Sequence, residues 1–235
     1  LCGFALLRPQ YGGTAKLVPA GGLDIVLVVD YSKSMLAEDV YPSRNERLES
    51  ELARFLKEAD KRGDRVGVVV FAGAARGMPV TRDSRLLRLF LERADPLTER
   101  PGGTAIGKGL TMGLEFLIEA RAETRTEDGE EEESDQIIIL LTDGEDTTSR
   151  PLEVAERARE LGVRIYTVGI GSTSGEPIQQ FTDAGEPNGY VMDEKGEYVM
   201  ARLDEKTLET LAAATDGAYI KIDPDRFALD SVREL

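Results

Sequence analysis

The sequence predicts an α/β fold: a doubly wound, mostly parallel central sheet with helices on both faces. Three observations carry this. Apolar, β-branched runs alternate with stretches of helical periodicity almost from end to end. The runs are continuous rather than alternating, as strands covered on both faces read. Oxygen-rich motifs follow directly on two of these runs, where open parallel sheets hold their ligands.

The elements follow in order. Leu1 to Leu7, ending at Arg8, matches the last turns of a membrane helix whose beginning lies before Leu1, and a juxtamembrane linker continues to residue 22. The domain itself is expected over residues 23–223. Leu23 to Val29 reads as the first strand. A helix follows, with Pro42 in its first turn, Leu48, Leu52, Phe55, Leu56 and Ala59 on one face, and Gly63 closing it. Val66 to Phe71 is the second strand. Arg76 to Thr81 is an antiparallel edge strand, because Pro79 cannot donate to an interior ladder.

Ile106, Leu110, Leu114, Leu117 and Ile118 mark the next helix, and Gln136 to Leu141 the next strand. Between them, Glu127 to Asp135 holds seven acidic residues in nine and reads as a solvated loop. Pro151, Ala155, Ala158 and Gly162 outline a helix, and Val163 to Ile170 a strand. Residues 172–202 are too long for an ordinary connection. Tyr190 to Met200 there reads as two short strands around a Gly-containing turn, a β-hairpin insertion. Asp204 caps a helix carrying Leu208 and Leu211, Ala218 to Ile222 is the last strand, and residues 224–235 start a C-terminal helix.

Composition narrows the chemistry. With 41% hydrophobic residues the chain can bury one large core. Its net charge of −15 repels phosphate backbones and anionic lipid, so nucleic acid is excluded as a partner. One Cys and no His remove zinc fingers, Cys–His nucleophiles, Ser-His-Asp triads and His-ligated metals together. Any metal must be held by oxygen.

Asp30-Tyr-Ser-Lys-Ser34, at the end of the first strand, supplies such oxygens: one carboxylate and two hydroxyls alternate along a turn. An oxygen-only set selects Mg²⁺, Mn²⁺ or Ca²⁺. Thr104, in Pro101-Gly-Gly-Thr-Ala-Ile-Gly107, and Asp143, in Leu140-Leu-Thr-Asp-Gly-Glu-Asp146, stand at the starts of later loops. Singly each has a plain reading as a helix cap or an Asp-Gly turn. Together, at strand ends, Asp30, Ser32, Ser34, Thr104 and Asp143 form a candidate metal site. Tyr31, Gly103 and Glu145 stand beside these donors and are candidates for a partner-binding surface.

These motifs resemble the von Willebrand factor A (VWA) family, whose metal-ion-dependent adhesion site uses D-x-S-x-S with a distant Thr and Asp. All five positions match, and the resemblance runs from about Leu23 to Ile222. Ser34-Met-Leu-Ala-Glu-Asp-Val40, Gly63-Asp-Arg-Val-Gly67 and Arg164-Ile-Tyr-Thr-Val-Gly-Ile-Gly171 add a resemblance to bacterial aerotolerance-type (Bat) membrane proteins. The resemblance implies a non-enzymatic binding module on the bacterial inner membrane, facing the periplasm. Its cation would be completed by an Asp or Glu of a protein partner. Other Bat-type VWA proteins and a MoxR-type AAA+ ATPase system are the associates it implies. An alternative in the same family is a cytoplasmic VWA partner of an AAA+ ATPase.

Three rival motifs are weaker. Gly102 to Gly109 nearly spells a phosphate loop but lacks the final hydroxyl and a preceding strand. Gly169-Ile-Gly171 is followed by an irregular segment rather than a helix. A Mg²⁺-dependent phosphohydrolase with Asp30 as nucleophile would want a second carboxylate two residues on, where Ser32 stands.

Overall fold

The structure, a computed structural model, describes residues 22–124, 135–146, 149–182, 186–222 and residue 229. Strand β1 (Asp24–Asp30) leads through a single 3-10 turn (Lys33–Leu36) to α1 (Arg44–Arg62) and β2 (Arg65–Phe71). Then come β3 (Ala75–Thr81), α2 (Ser84–Leu91), α3 (Ile106–Glu123), β4 (Gln136–Thr142), α4 (Pro151–Glu160) and β5 (Arg164–Gly169). Four short strands follow, β6 (Glu176–Pro177), β7 (Gln179–Phe181), β8 (Pro187–Tyr190) and β9 (Met200–Ala201), before α5 (Glu205–Ala213) and β10 (Tyr219–Lys221).

Six strands make the central sheet in the order β10-β5-β4-β1-β2-β3, parallel throughout except for β3, the antiparallel edge strand at the β2 side. Every residue of β1 and of β4 is buried, which is why their sequences run apolar without alternation. Successive residues of β1 still face opposite layers. Ile25, Leu27 and Val29 meet Leu48, Leu52 and Phe55 of α1, while Val26 and Val28 meet Leu110 and Leu114 of α3. On the second face Gly109 brings α3 close: a Cβ there would lie 2.9 Å from Phe71 and from Val28.

The chain adds strands to one side of β1 (β2, β3) and then to the other (β4, β5, β10), so strand order reverses between β1 and β4. A crevice opens beyond the carboxyl ends of strands at such a point. At their opposite ends Arg65 holds the buried Asp24 in a two-pronged pair, at 2.7 and 2.6 Å.

Some expectations change. Pro42 lies outside α1, whose N-cap is Ser43, with its side chain accepting from Glu46 N at 3.2 Å. Helix α2 was not expected: it is only eight residues long, and of its apolar residues Leu86 and Leu89 are exposed while Leu87 is buried. The insertion is more than one hairpin. Met192 and Tyr198 bridge around Gly196 as expected, but β7 pairs with β8 and β6 with β9, so residues 176–181 join the small sheets as well. Residues 1–21, most of the acidic run Glu127 to Asp135, and residues 224–228 and 230–235 lie outside the described residues. The membrane-helix and C-terminal-helix expectations fall there, although Leu229 packs in the α1 layer and its N–H donates to Glu51 Oε2 at 3.3 Å.

Candidate metal centre

The end of β1 and the end of β4 bring two carboxylates into the crevice. Asp30 is the last residue of β1 and Asp143 follows β4 directly; both are 0% exposed. Asp30 is held at both oxygens: Oδ1 accepts from Ser32 N at 2.8 Å and Oδ2 from the Thr142 hydroxyl at 2.5 Å. Thr142 Oγ1 in turn accepts from Gly144 N at 3.0 Å, tying the two strand ends together. The turn after Asp30 places Ser32 Oγ and Ser34 Oγ 2.9 Å apart, and the Ser34 hydroxyl also hydrogen-bonds Asp143. Four of the five expected donors are therefore joined by contact through one small cluster.

Thr104, the fifth, is also buried. Its loop crosses the end of β2: Ala105 N donates to Ala72 O at 2.8 Å and Gly73 N to Pro101 O at 3.0 Å. Thr104 is not the cap of α3. Ala105 holds that position, and the first amides of α3 are received by side chains of the β4–α4 loop, Ile106 N by Asp146 Oδ2 (3.1 Å) and Gly107 N by Ser149 Oγ (2.7 Å). Lys108 donates to Gly73 O at 2.8 Å, which closes the phosphate-loop reading.

Around the partner-surface candidates the structure draws a distinction. Gly103 is exposed, in the left-handed region at φ 103°, and Glu145 is half-buried at the rim, accepting from Arg202 N at 3.1 Å. Tyr31 is the correction. It is 0% exposed, because the side chain after Asp30 continues the alternation of β1 and packs in the α1 layer with Leu48 and Met35.

Sequence reasoning missed Arg44, Asp39 and Thr142. The Arg44 guanidinium is fully buried and grips Asp39 with two hydrogen bonds of 2.7 Å, Asp143 Oδ2 at 3.0 Å and Ala201 O at 3.2 Å. Gly171 makes room: at φ +119° it lies so close that a Cβ would stand 2.5 Å from Arg44 Cζ. No local pattern announces an arginine whose partner is 99 residues away. Thr142 did carry a signal, as a hydroxyl ending an otherwise apolar strand.

The electrostatics of the cluster are unbalanced. Burial first, and then the charge of Asp143, push the Asp30 carboxyl up to about 7. Burial also raises Asp143, against the Ser34 hydrogen bond and the Arg44 charge. Asp39 is held below its usual range by Arg44 despite its own burial. The Arg44 guanidinium pairs with Asp39 and Asp143 and also feels the Glu145 charge, while Asp30 has only hydroxyl and amide partners and the like charge of Asp143, so negative charge exceeds positive in the cluster. A divalent cation fits that deficit, and carboxylate and hydroxyl oxygens are the donors a hard cation takes. Among the described residues no group of three or more His, Cys, Asp or Glu side chains is placed for a metal, so a cation here depends on the hydroxyls.

A doubly wound sheet with this oxygen cluster at its switch point defines a class of protein, and the comparison with known families agrees: the family model of the von Willebrand factor type A domain matches residues 24–229. The chain belongs to the VWA family, whose domains serve as interaction modules and commonly bind a divalent metal. Among solved structures it is similar to BatB from Bacteroides thetaiotaomicron, with 31% identity, a TM-score of 0.76, and 91% of this chain and 96% of that one covered. It is likewise similar to an aerotolerance-related membrane protein from Bacteroides fragilis NCTC 9343 (28%, TM-score 0.75, 91% and 98% covered). An uncharacterized protein of Borreliella burgdorferi is 30% identical over 176 residues, covering 72% of this chain and 47% of that protein. Matrilin-1 of Bos taurus is 28% identical over 232 residues, covering 92% and 40%. The chain spans about half or less of the curated relatives it matches first. No helix among the described residues is long and apolar enough to cross a membrane.

Proposed function

We propose that the domain is a divalent-cation-dependent protein-interaction module. Asp30, Ser32, Ser34, Thr104 and Asp143 would hold Mg²⁺, with Mn²⁺ or Ca²⁺ as substitutes. The bound ion supplies a positive charge that an Asp or Glu of the partner completes, in a chain whose net charge of −15 otherwise repels acids. The observation that carries this reading is the pair of buried carboxylates beside the touching Ser32 and Ser34 hydroxyls, of which Arg44 pairs with Asp143 and, among the described residues, no cation pairs with Asp30.

Interaction is favoured over phosphate transfer because Ser32 occupies the position a second carboxylate would need. Similarity to an aerotolerance-related membrane protein supports a place at a membrane; the periplasm-facing placement, and other Bat-type proteins and a MoxR-type ATPase as associates, enter the proposal from the motif resemblance alone.

Thermal unfolding of the chain in chelator and in Mg²⁺ tests the metal. A higher midpoint with Mg²⁺, abolished in Asp30→Ala, is expected. Identical midpoints in both buffers sink the reading. Metal-dependent phosphoester turnover lost in Asp30→Asn would replace it with the hydrolase.

A further inference from the structure

A cleft of about 690 Å³ has walls from three parts of the chain, two of which adjoin the expected metal donors in sequence. Lys33, on the 3-10 turn, forms one wall; Arg100, in the segment after α2, forms another; β7 forms the third. The first two walls run straight into the donor loops. Lys33 stands between Ser32 and Ser34, and Arg100 lies just ahead of the loop that carries Thr104.

The charge of this cleft opposes that of the molecule. Lys33 and Arg100 are exposed, and neither forms an ion pair among the described residues. Asp95 also lines the cleft, but its carboxylate receives Leu97 N at 2.8 Å and serves its own turn. The third wall adds a main-chain feature. Strand β7 belongs to a two-stranded sheet with β8, so among the described residues one of its edges has no partner strand, and such an edge accepts an extended segment.

We propose that this cleft takes an extended acidic peptide segment of a protein partner. One carboxylate completes the cation shell, a second acidic side chain sits between Lys33 and Arg100, and the main chain runs along β7. The proposal rests on the cation reading above and adds to it a second charged contact and an extended conformation. The two cations select for acid at a second position, which the metal alone does not.

An array of Asp-centred peptides, each carrying Glu or Gln at one flanking position, tests it with the unaltered chain and with Lys33→Gln/Arg100→Gln in Mg²⁺ and in chelator. Mg²⁺-dependent binding is expected to be about tenfold stronger for Glu than for Gln at a favoured position, the size of one or two exposed ion pairs. That preference should vanish in the double variant while its Mg²⁺ thermal shift persists, which also shows that it is folded. Equal binding of Glu and Gln peptides overturns the proposal. So does a preference that survives in the variant, or no peptide binding by a chain whose Mg²⁺ shift is intact. Mg²⁺-dependent self-association without peptide assigns the cleft to a second copy and overturns it too. Absence of any Mg²⁺ shift in the unaltered chain sinks the metal reading itself, and this one with it.

Discussion

Arg44 Nη1 donates to Asp143 Oδ2 at 3.0 Å with both side chains at 0% exposure, so the one cation of the cluster contacts its carboxylate from inside the protein. The remaining coordination of Asp143 can therefore face a bound ion without competition from solvent.

Replacing Arg44 by Met leaves Asp143 and Asp39 buried without their shared partner. Removing one member of a buried pair costs about 3–5 kcal/mol. Denaturant unfolding in chelator should show a loss of that size. Mg²⁺ should restore more stability to the variant than to the unaltered chain, because more negative charge is left for it to neutralise. A variant as stable as the parent in chelator would refute the role given to Arg44.

Thr142→Val keeps the shape of β4 but removes the hydroxyl that donates to Asp30 and accepts from Gly144 N. A loss of about 1–3 kcal/mol is expected from the unpaired buried groups. Without that donor the Asp30 carboxyl binds its proton more tightly, so the Mg²⁺ midpoint measured by calorimetry should rise at neutral pH. An unchanged Mg²⁺ affinity would show that Thr142 supports the strand ends only.

Without a divalent cation, the Asp30 carboxyl titrates at about 7 in the folded chain against 3.8 in the unfolded one. Its folded value is raised, so its contribution is fully present below the unfolded value and is lost as pH rises through the folded one. On the order of 4 kcal/mol is at stake across that window. In chelator, stability should thus decline from about pH 4 to pH 7 on account of this group, while the stabilisation by Mg²⁺, which displaces the proton, should grow over the same range. Thermal midpoints in the two buffers, followed against pH, should diverge; parallel curves would contradict the assignment.

Asp24→Asn breaks the two-pronged pair with Arg65 at the opposite ends of the strands. About 2–4 kcal/mol of stability should be lost, since Asp24 is fully buried. The Mg²⁺-induced shift should remain that of the parent, because this pair stands at the opposite ends of the strands from the crevice. A reduced shift would mean that the two ends of the sheet are coupled.

Strands β1, β2, β4 and β5 were legible because burial on both faces forces continuous apolar runs, and the neighbourhood of Asp30, Ser32, Ser34 and Asp143 because short polar motifs end two of those runs. Helix α2 was not, since it is a short helix of eight residues and its packing against β2 and β3 decides which of its leucines are covered. Tyr31 was misread as surface because two serines in the same turn suggest exposure, whereas strand alternation carries its ring inward. Arg44 and Asp39 escaped for a different reason. Their meaning lies in contacts with residues 143, 172 and 201, and only the folded chain brings those together.

The insertion between β5 and α5 forms its own two small sheets and adds no strand to the central six. Among the described residues it is attached by polar contacts, Ser172 N to Asp39, Ala201 O to Arg44 and Arg202 N to Glu145, and by the packing of Ile178 and Ala201 on Ala37. It sits on the rim as a separate layer whose Ala201 carbonyl reaches the same guanidinium that holds Asp143. A change in the insertion is therefore passed to the buried carboxylates through one main-chain oxygen.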